Sequence, residues 1–241
     1  QQNGTLTHNQ QQQQQQTIPQ AFIDAFQQWN TLMKIPKIRR VVIMNGFYWF
    51  ALSGAQMTIL PLLLTNPEGG LGMSATGVGQ VYMGMSSVQV LGNPLIAKFV
   101  DQTGKAPAIV IGGTLISIGM AALPLCCYYY TDTDTTTAAI PALAAVLGLW
   151  ATGGTLLSTA PVAYISDHTE DEHRAQAIAL LRTSGDVGFL IGASAVGAMA
   201  DWTGDLNIAM QTSAGVLLSA TTWFGIRKYS SGIMTGTNAD K

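Results

Sequence analysis

Charge is the first thing this chain lacks. Only 10% of its 241 residues are charged, against roughly 25% in ordinary globular domains. So little charge leaves a soluble surface poorly solvated, and a net charge of −2 gives no basic face for nucleic acid. Cysteine is almost as scarce. Cys126 and Cys127 are adjacent, so no disulfide framework can form, and two vicinal thiols near a helix end read as packing residues. No Ser/His/Asp arrangement or Cys/His pair is present. Residues 101–105, Asp-Gln-Thr-Gly-Lys, end in Gly-Lys but lack the strand and the earlier Gly of a phosphate-cradling loop. His168, Glu170, Asp171, Glu172 and His173 match no standard ligand spacing; acids just before Arg174 suit a helix N-terminus. Neither an enzyme nor a metal or other cofactor is expected.

Apolar residues are plentiful: 48% of the chain is hydrophobic and 26 residues are Gly. They are unevenly spread. Residues 1–17 hold a run of Gln at positions 10–16 and bury too little to fold alone, so a disordered tail is expected. Asn3-Gly4-Thr5 formally matches a glycosylation acceptor, but the charge pattern below places it on the cytosolic side or its equivalent. From Ile18, the residues Phe22, Phe26, Trp29, Leu32 and Met33 recur at helical steps, which predicts an amphipathic helix over 18–36. Such a helix either packs on the rest of the protein or lies in a membrane interface.

Six apolar stretches follow, at about 40–64, 76–100, 106–128, 139–165, 174–200 and 206–227. Each is close to the roughly 20 residues that span a bilayer. Internal glycines and prolines (Gly54, Pro61, Pro94, Pro124, Pro161, Gly192) are tolerated by membrane helices, whose neighbours approach closely. Residues 229–241 form a C-terminal tail. The 11 basic residues are sorted: none falls in the first, third or fifth connection, which carry Glu68, Asp132, Asp134, Asp201 and Asp205. Both termini and the second and fourth connections therefore belong on the positive side of the membrane. The expected fold is an all-α polytopic membrane protein with its membrane domain at 40–228.

Two short connections stand out. Residues 92–105, GNPLIAKFVDQTGK, end an apolar helix on Asp101, Gly104 and Lys105; residues 197–205, GAMADWTGD, repeat the pattern with Asp201 and Gly204. They follow the second and fifth spans, on opposite faces. Spans one to three and four to six thus read as inverted three-helix repeats, an arrangement found in transporters.

On these residues the chain resembles the major facilitator superfamily of secondary transporters. The family signature Gly-x-Leu-Ala-Asp-Arg-x-Gly-Arg-Lys falls on residues 97–106, matching Asp101, Gly104 and the basic Lys105; Ala97 and Gln102 stand where the family has Gly and Arg. Pro161, Asp167, Arg174, Gly185, Gly188, Gly192, Gly197 and Asp201 extend the likeness, which covers about 40–228. Since the family has twelve helices in two halves, the resemblance implies a C-terminal half. The polar tail and the amphipathic helix are similar to the linker between halves, and a start at Gln rather than Met is expected of a fragment or a processed product. A second six-helix half is then expected as partner, in the same longer chain, as a second copy or as a separate subunit. The implied function is movement of a small solute by alternating access. The alternative is an accessory subunit of a larger membrane complex that keeps the fold without transport.

The resemblance makes Asp101 a gate residue, together with Gly104, Lys105, Asp201 and Gly204; a solvated helix-ending turn is the plainer alternative. Arg182 and Asp186 share a helical face within span five, either as a neutralised structural pair or in substrate or proton coupling. Asn45, Tyr48 and Gln56 form a stripe on span one, Gln80 one on span two, and Thr152, Thr155 and Thr159 one on span four. These stripes suit a polar cavity wall or ordinary interhelical hydrogen bonds.

Overall fold

A computed structural model of the chain describes residues 18–67, 70–132 and 136–236. The tail 1–17 with Asn3, Glu68, Asp134 and residues 237–241 lie outside the described residues. All regular structure among the described residues is helical. α1, Ile18–Met33, is the amphipathic helix; it packs on the next helix and on α6, with Leu32 buried and Ile23 and Phe26 exposed. Six long helices follow: α2 Pro36–Thr65, α3 Ala75–Thr103, α4 Lys105–Asp132, α5 Thr136–Asp167, α6 Arg174–Thr203 and α7 Leu206–Gly236.

Local chemistry sets the helix ends. Pro36 opens α2, where its missing N–H costs nothing. Ser74 caps α3, its hydroxyl accepting from Gly77 N at 3.3 Å. The two hinge glycines end α3 and α6: Gly104 and Gly204 have φ of 93° and 66°, a backbone region that side chains with a Cβ avoid. Each sends its N–H back to a carbonyl four residues earlier, Val100 and Ala200. Asp205 Oδ1 then accepts from Asn207 N at 2.7 Å and restarts the chain as α7. Prolines 94, 124, 141 and 161 lie within helices.

Not every stretch meets the standard expected of a membrane span. Among the described residues, α2, α4 (as Lys105–Cys127) and α5 (as Ile140–Asp167) are long and apolar enough to cross a membrane. In α3, α6 and α7 polar side chains dilute the apolar run: Gln80, Ser86, Ser87, Gln89 and Asn93; Arg182, Ser184 and Asp186; Thr212, Ser213, Ser219, Thr221 and Thr222. One feature of α2 was invisible to helical periodicity. Residues Leu52–Ile59 form a π-helix, so Leu60 N–H reaches the Ala55 carbonyl, five residues back.

The bundle packs in a definite order. α4 lies against α5 and α7, α2 against α6 and α7, and α3 against α5. Trp150, Met44, Ile109, Ile116, Met120 and Phe224 fill its centre. Small residues govern the crossings. A Cβ on Gly188 would fall on the Gly46 carbonyl oxygen, and one on Gly192 on the Phe50 carbonyl. At the α4–α5 crossing a Cβ on Gly153 would stand 2.7 Å from the Gly112 oxygen. The α3–α5 contact is looser, since Gly79, Gly84 and Gly148 face open space. Replacing Gly188 by Ala forces two backbones apart and is expected to destabilise by about 1–3 kcal/mol. Gly84→Ala meets no atom and gains helix propensity, up to about 1 kcal/mol. Melting temperatures of the two variants in one detergent check both signs.

Candidate functional site

Two polar side chains of α2, Asn45 and Ser53, bond across to α6. Asn45 is buried and donates from Nδ2 to the Leu181 carbonyl at 2.7 Å and to Ser184 Oγ at 3.3 Å. Ser53 Oγ donates to the Phe189 carbonyl at 2.8 Å. Tyr48 is buried on the same stripe, with its ring tilted against Trp49. Of the two alternatives for this stripe, Asn45 takes the interhelical one. The glycine stripe Gly185, Gly188 and Gly192 brings the α6 backbone within its reach.

Gln56 differs. It lies inside the π segment, its side chain is buried, and Oε1 has no hydrogen-bond partner. A buried amide oxygen left without a donor is costly unless something else supplies one. Its backbone carbonyl accepts from the Tyr82 hydroxyl, which ties α2 to α3. Gln80 stands two residues before Tyr82, exposed, on a groove of about 600 Å³ between α3 and α5. Met73, Gly77, Met85, Leu143 and Leu147 make the groove largely apolar. The threonines of α5 do not make the interhelical hydrogen bonds that were one of their two expected roles. Thr152, Thr155 and Thr159 donate to the carbonyls of Gly148, Ala151 and Thr155 at 2.8–2.9 Å, within their own helix.

Arg182 and Asp186 sit on the side of α6 turned away from α2, both exposed. They do not form an ion pair with each other. The local neutralisation expected of them is therefore absent. At 1.5 Å per residue they stand about 12 and 18 Å along α6 from Arg174.

The first hinge is held by a charge that local spacing could not pair. Asp101 is exposed at the end of α3, whereas Lys105 makes an ion pair with Asp167 at the end of α5. Asp167 carried weight in the sequence only as part of the family likeness. Asp201 is exposed at the second hinge. Among the His and acidic residues between α5 and α6, His168 Nδ1–H donates to the Tyr164 carbonyl at 2.8 Å and stacks on that ring. Asp171 pairs with Arg174. Near the same end of the bundle Arg40 donates to the Arg227 carbonyl and so joins the start of α2 to α7.

The Lys105–Asp167 pair is partly exposed, with 27% and 50% of the side chains accessible, so its coupling is screened. A double-mutant cycle with Lys105→Gln and Asp167→Asn is expected to give no more than about 1 kcal/mol, falling as salt rises.

The sequence model of the Major Facilitator Superfamily matches residues 41–232. No curated protein matches the chain, and no solved structure does.

Proposed function

The chain belongs to the Major Facilitator Superfamily, and from that premise we propose that it moves a small solute by alternating access together with a second six-helix half. Membership makes it a membrane transport protein of the major facilitator type. The finer picture is a bundle of six spans in two inverted repeats, α2–α4 and α5–α7, with both termini on the positive side.

Packing supports the repeat. Exchanging α2 with α5, α3 with α6 and α4 with α7 turns the α2–α6 contact into α5–α3, and α4–α5 into α7–α2. The α4–α7 contact maps onto itself. Arg40 bonded to Arg227, and Lys105 to Asp167, put the start of α2, the end of α7, the start of α4 and the end of α5 at one end of the bundle. Lys34, Lys37, Arg39 and Lys228 lie beside these residues in sequence. This is the charge asymmetry that fixes orientation.

The observation that carries the reading is the placement of Arg182 and Asp186. With α6 as one of the six proposed spans, an exposed Arg and Asp two to three turns along it, not bonded to each other, cannot face lipid cheaply. They call for water or polar groups, which a cavity shared with a second half provides. Gln80, Ser87 and Asn93 on the exposed side of α3 make the same demand. That half is the rest of a longer chain, a second copy or a separate subunit. Asp101 and Asp201, exposed at helix ends on opposite faces, are then gate residues with Gly104, Lys105 and Gly204. Tyr48 and Gln56 back the cavity, the free Gln56 oxygen being a ready acceptor for a solute or water.

The test is thiol labelling of the full-length protein in sealed vesicles, with Cys126 and Cys127 replaced by Ala. A membrane-impermeant maleimide is expected to reach Asp186→Cys when applied from either side, because the two access states alternate. Labelling from neither side would remove the aqueous path and the transport reading with it.

A further inference from the structure

Polar bonds between α3 and its neighbours are scarce. Among the described residues, its side chains make one hydrogen bond to another helix, from the Tyr82 hydroxyl to the Gln56 backbone carbonyl on α2. Backbone bonds from Leu71 and Met73 to the Leu63 and Leu64 carbonyls hold the connection that precedes α3, not the helix itself. A phenylalanine ring would pack where Tyr82 does, so the hydroxyl needs its own explanation. The explanation lies in its acceptor.

The Gln56 carbonyl lacks the partner that a helix would give it. In an α-helix it would accept from Leu60 N–H, four residues on. Within the π-helix Leu52–Ile59, Leu60 N–H goes to Ala55 instead. The π partner would be the residue five on, and that is Pro61, which has no N–H. Register removes one donor from the helix and proline removes the other. Gln56 is buried, and its own side-chain oxygen is an acceptor that already lacks a donor. A buried carbonyl in this position needs a donor from outside its helix, and Tyr82 supplies it.

Two donors therefore compete for one oxygen. With α3 docked, Tyr82 holds the Gln56 carbonyl and Leu60 stays on Ala55. With α3 withdrawn, Leu60 N–H is free to turn to Gln56 as in a regular helix, so the carbonyl is not left bare. A bond exchanged costs less than a bond lost, and a contact with two settled alternatives is what a switch requires. The surroundings give α3 room to move: Gly79 and Gly84 meet no neighbouring atom, and a groove of about 600 Å³ separates α3 from α5. We propose that Tyr82 is a positioning residue of the transport cycle, a latch whose hydroxyl holds α3 on the π segment of α2 in one access state and yields the Gln56 carbonyl to Leu60 in the other. The latch rests on the alternating-access reading; the hydrogen-bond competition beneath it does not.

Two measurements on the full-length protein test this. The first is melting in one detergent. Tyr82→Phe is expected to lower the melting temperature by about 2–4 °C. Pro61→Ala supplies the missing N–H, so in that background Tyr82→Phe should cost less than about half as much. An equal loss in both backgrounds overturns the proposal. The second is maleimide labelling of the cysteine-free Asp186→Cys protein in sealed vesicles, read as the ratio of rates from the two sides. Tyr82→Phe is expected to change that ratio by about threefold or more, because it removes the bond that favours one state. Gly113→Ala crowds Thr221 at the α4–α7 crossing, away from the latch, and should leave the ratio within about twofold. The ratio therefore separates a latch from loosened packing, and it decides the matter if Pro61→Ala does not melt cooperatively. A ratio unchanged by Tyr82→Phe, in a parent labelled from both sides, overturns the latch alone. Labelling of the parent from neither side overturns the transport reading and the latch with it.

Discussion

Backbone-to-backbone approach at the helix crossings is the constraint on which the bundle depends. In lipid, apolar side chains gain little by leaving one hydrocarbon surface for another, so helices are held by close packing and by hydrogen bonds across the interface. Such a crossing lies between Gly46 on α2 and Gly188 on α6, where a Cβ on Gly188 has no room, with Gly192 against Phe50 one turn on. Asn45 and Ser53 can reach the Leu181 and Phe189 carbonyls because these glycines bring the two backbones together. The same stripe turns the other face of α6 outward and with it Arg182 and Asp186. One row of missing side chains thus sets both what is buried and what is offered to a partner.

The proposed internal symmetry is unevenly realised. The α2–α6 contact is closed by glycine and by cross-helix hydrogen bonds, while its counterpart between α5 and α3 leaves a groove of about 600 Å³. The glycines exist in both places. On α3, however, Gly79 and Gly84 meet no neighbouring atom, and Met85 is its one buried large apolar residue apart from Val100. α3 is the least anchored of the long helices, held mainly by Tyr82 near one end and by the Gly104 hinge at the other. If one helix of this bundle shifts against its neighbours at low cost, the packing singles out α3.

What could be read beforehand was whatever depends on local sequence. The helix-ending glycines, the amphipathic α1 and the six long helices all follow from residues a few positions apart. The gathering of the start of α2 with the end of α7 at one end of the bundle was equally legible, because it follows from an even number of helices. Pairings across the bundle were not. Lys105 meets Asp167 through the folding of α4 against α5, and no spacing rule reaches that far. The threonine hydroxyls of α5 satisfy themselves on the preceding turn, a choice that their spacing left open. Arg182 and Asp186 had the right spacing for a pair, yet side chains on an exposed face are free to point apart. The stripe from Asn45 to Gln56 assumed an α-helical period, which fails from Leu52 onward.

That change of period has a consequence for how α2 could move. A helix advances about 100° per residue, so one residue accommodated in a widened turn sets the phase of everything beyond it. α2 is secured at both ends, by Arg40 to α7 and by the carbonyls of Leu63 and Leu64, which accept from Leu71 and Met73. Sliding the wide turn a few positions along the helix would leave those anchors in place. It would swing the residues it passes, Gln56 among them, to a new heading by about that angle. The π segment is in this sense a swivel built into a fixed axle: it converts a small axial rearrangement into a change of which side chain the middle of the helix presents.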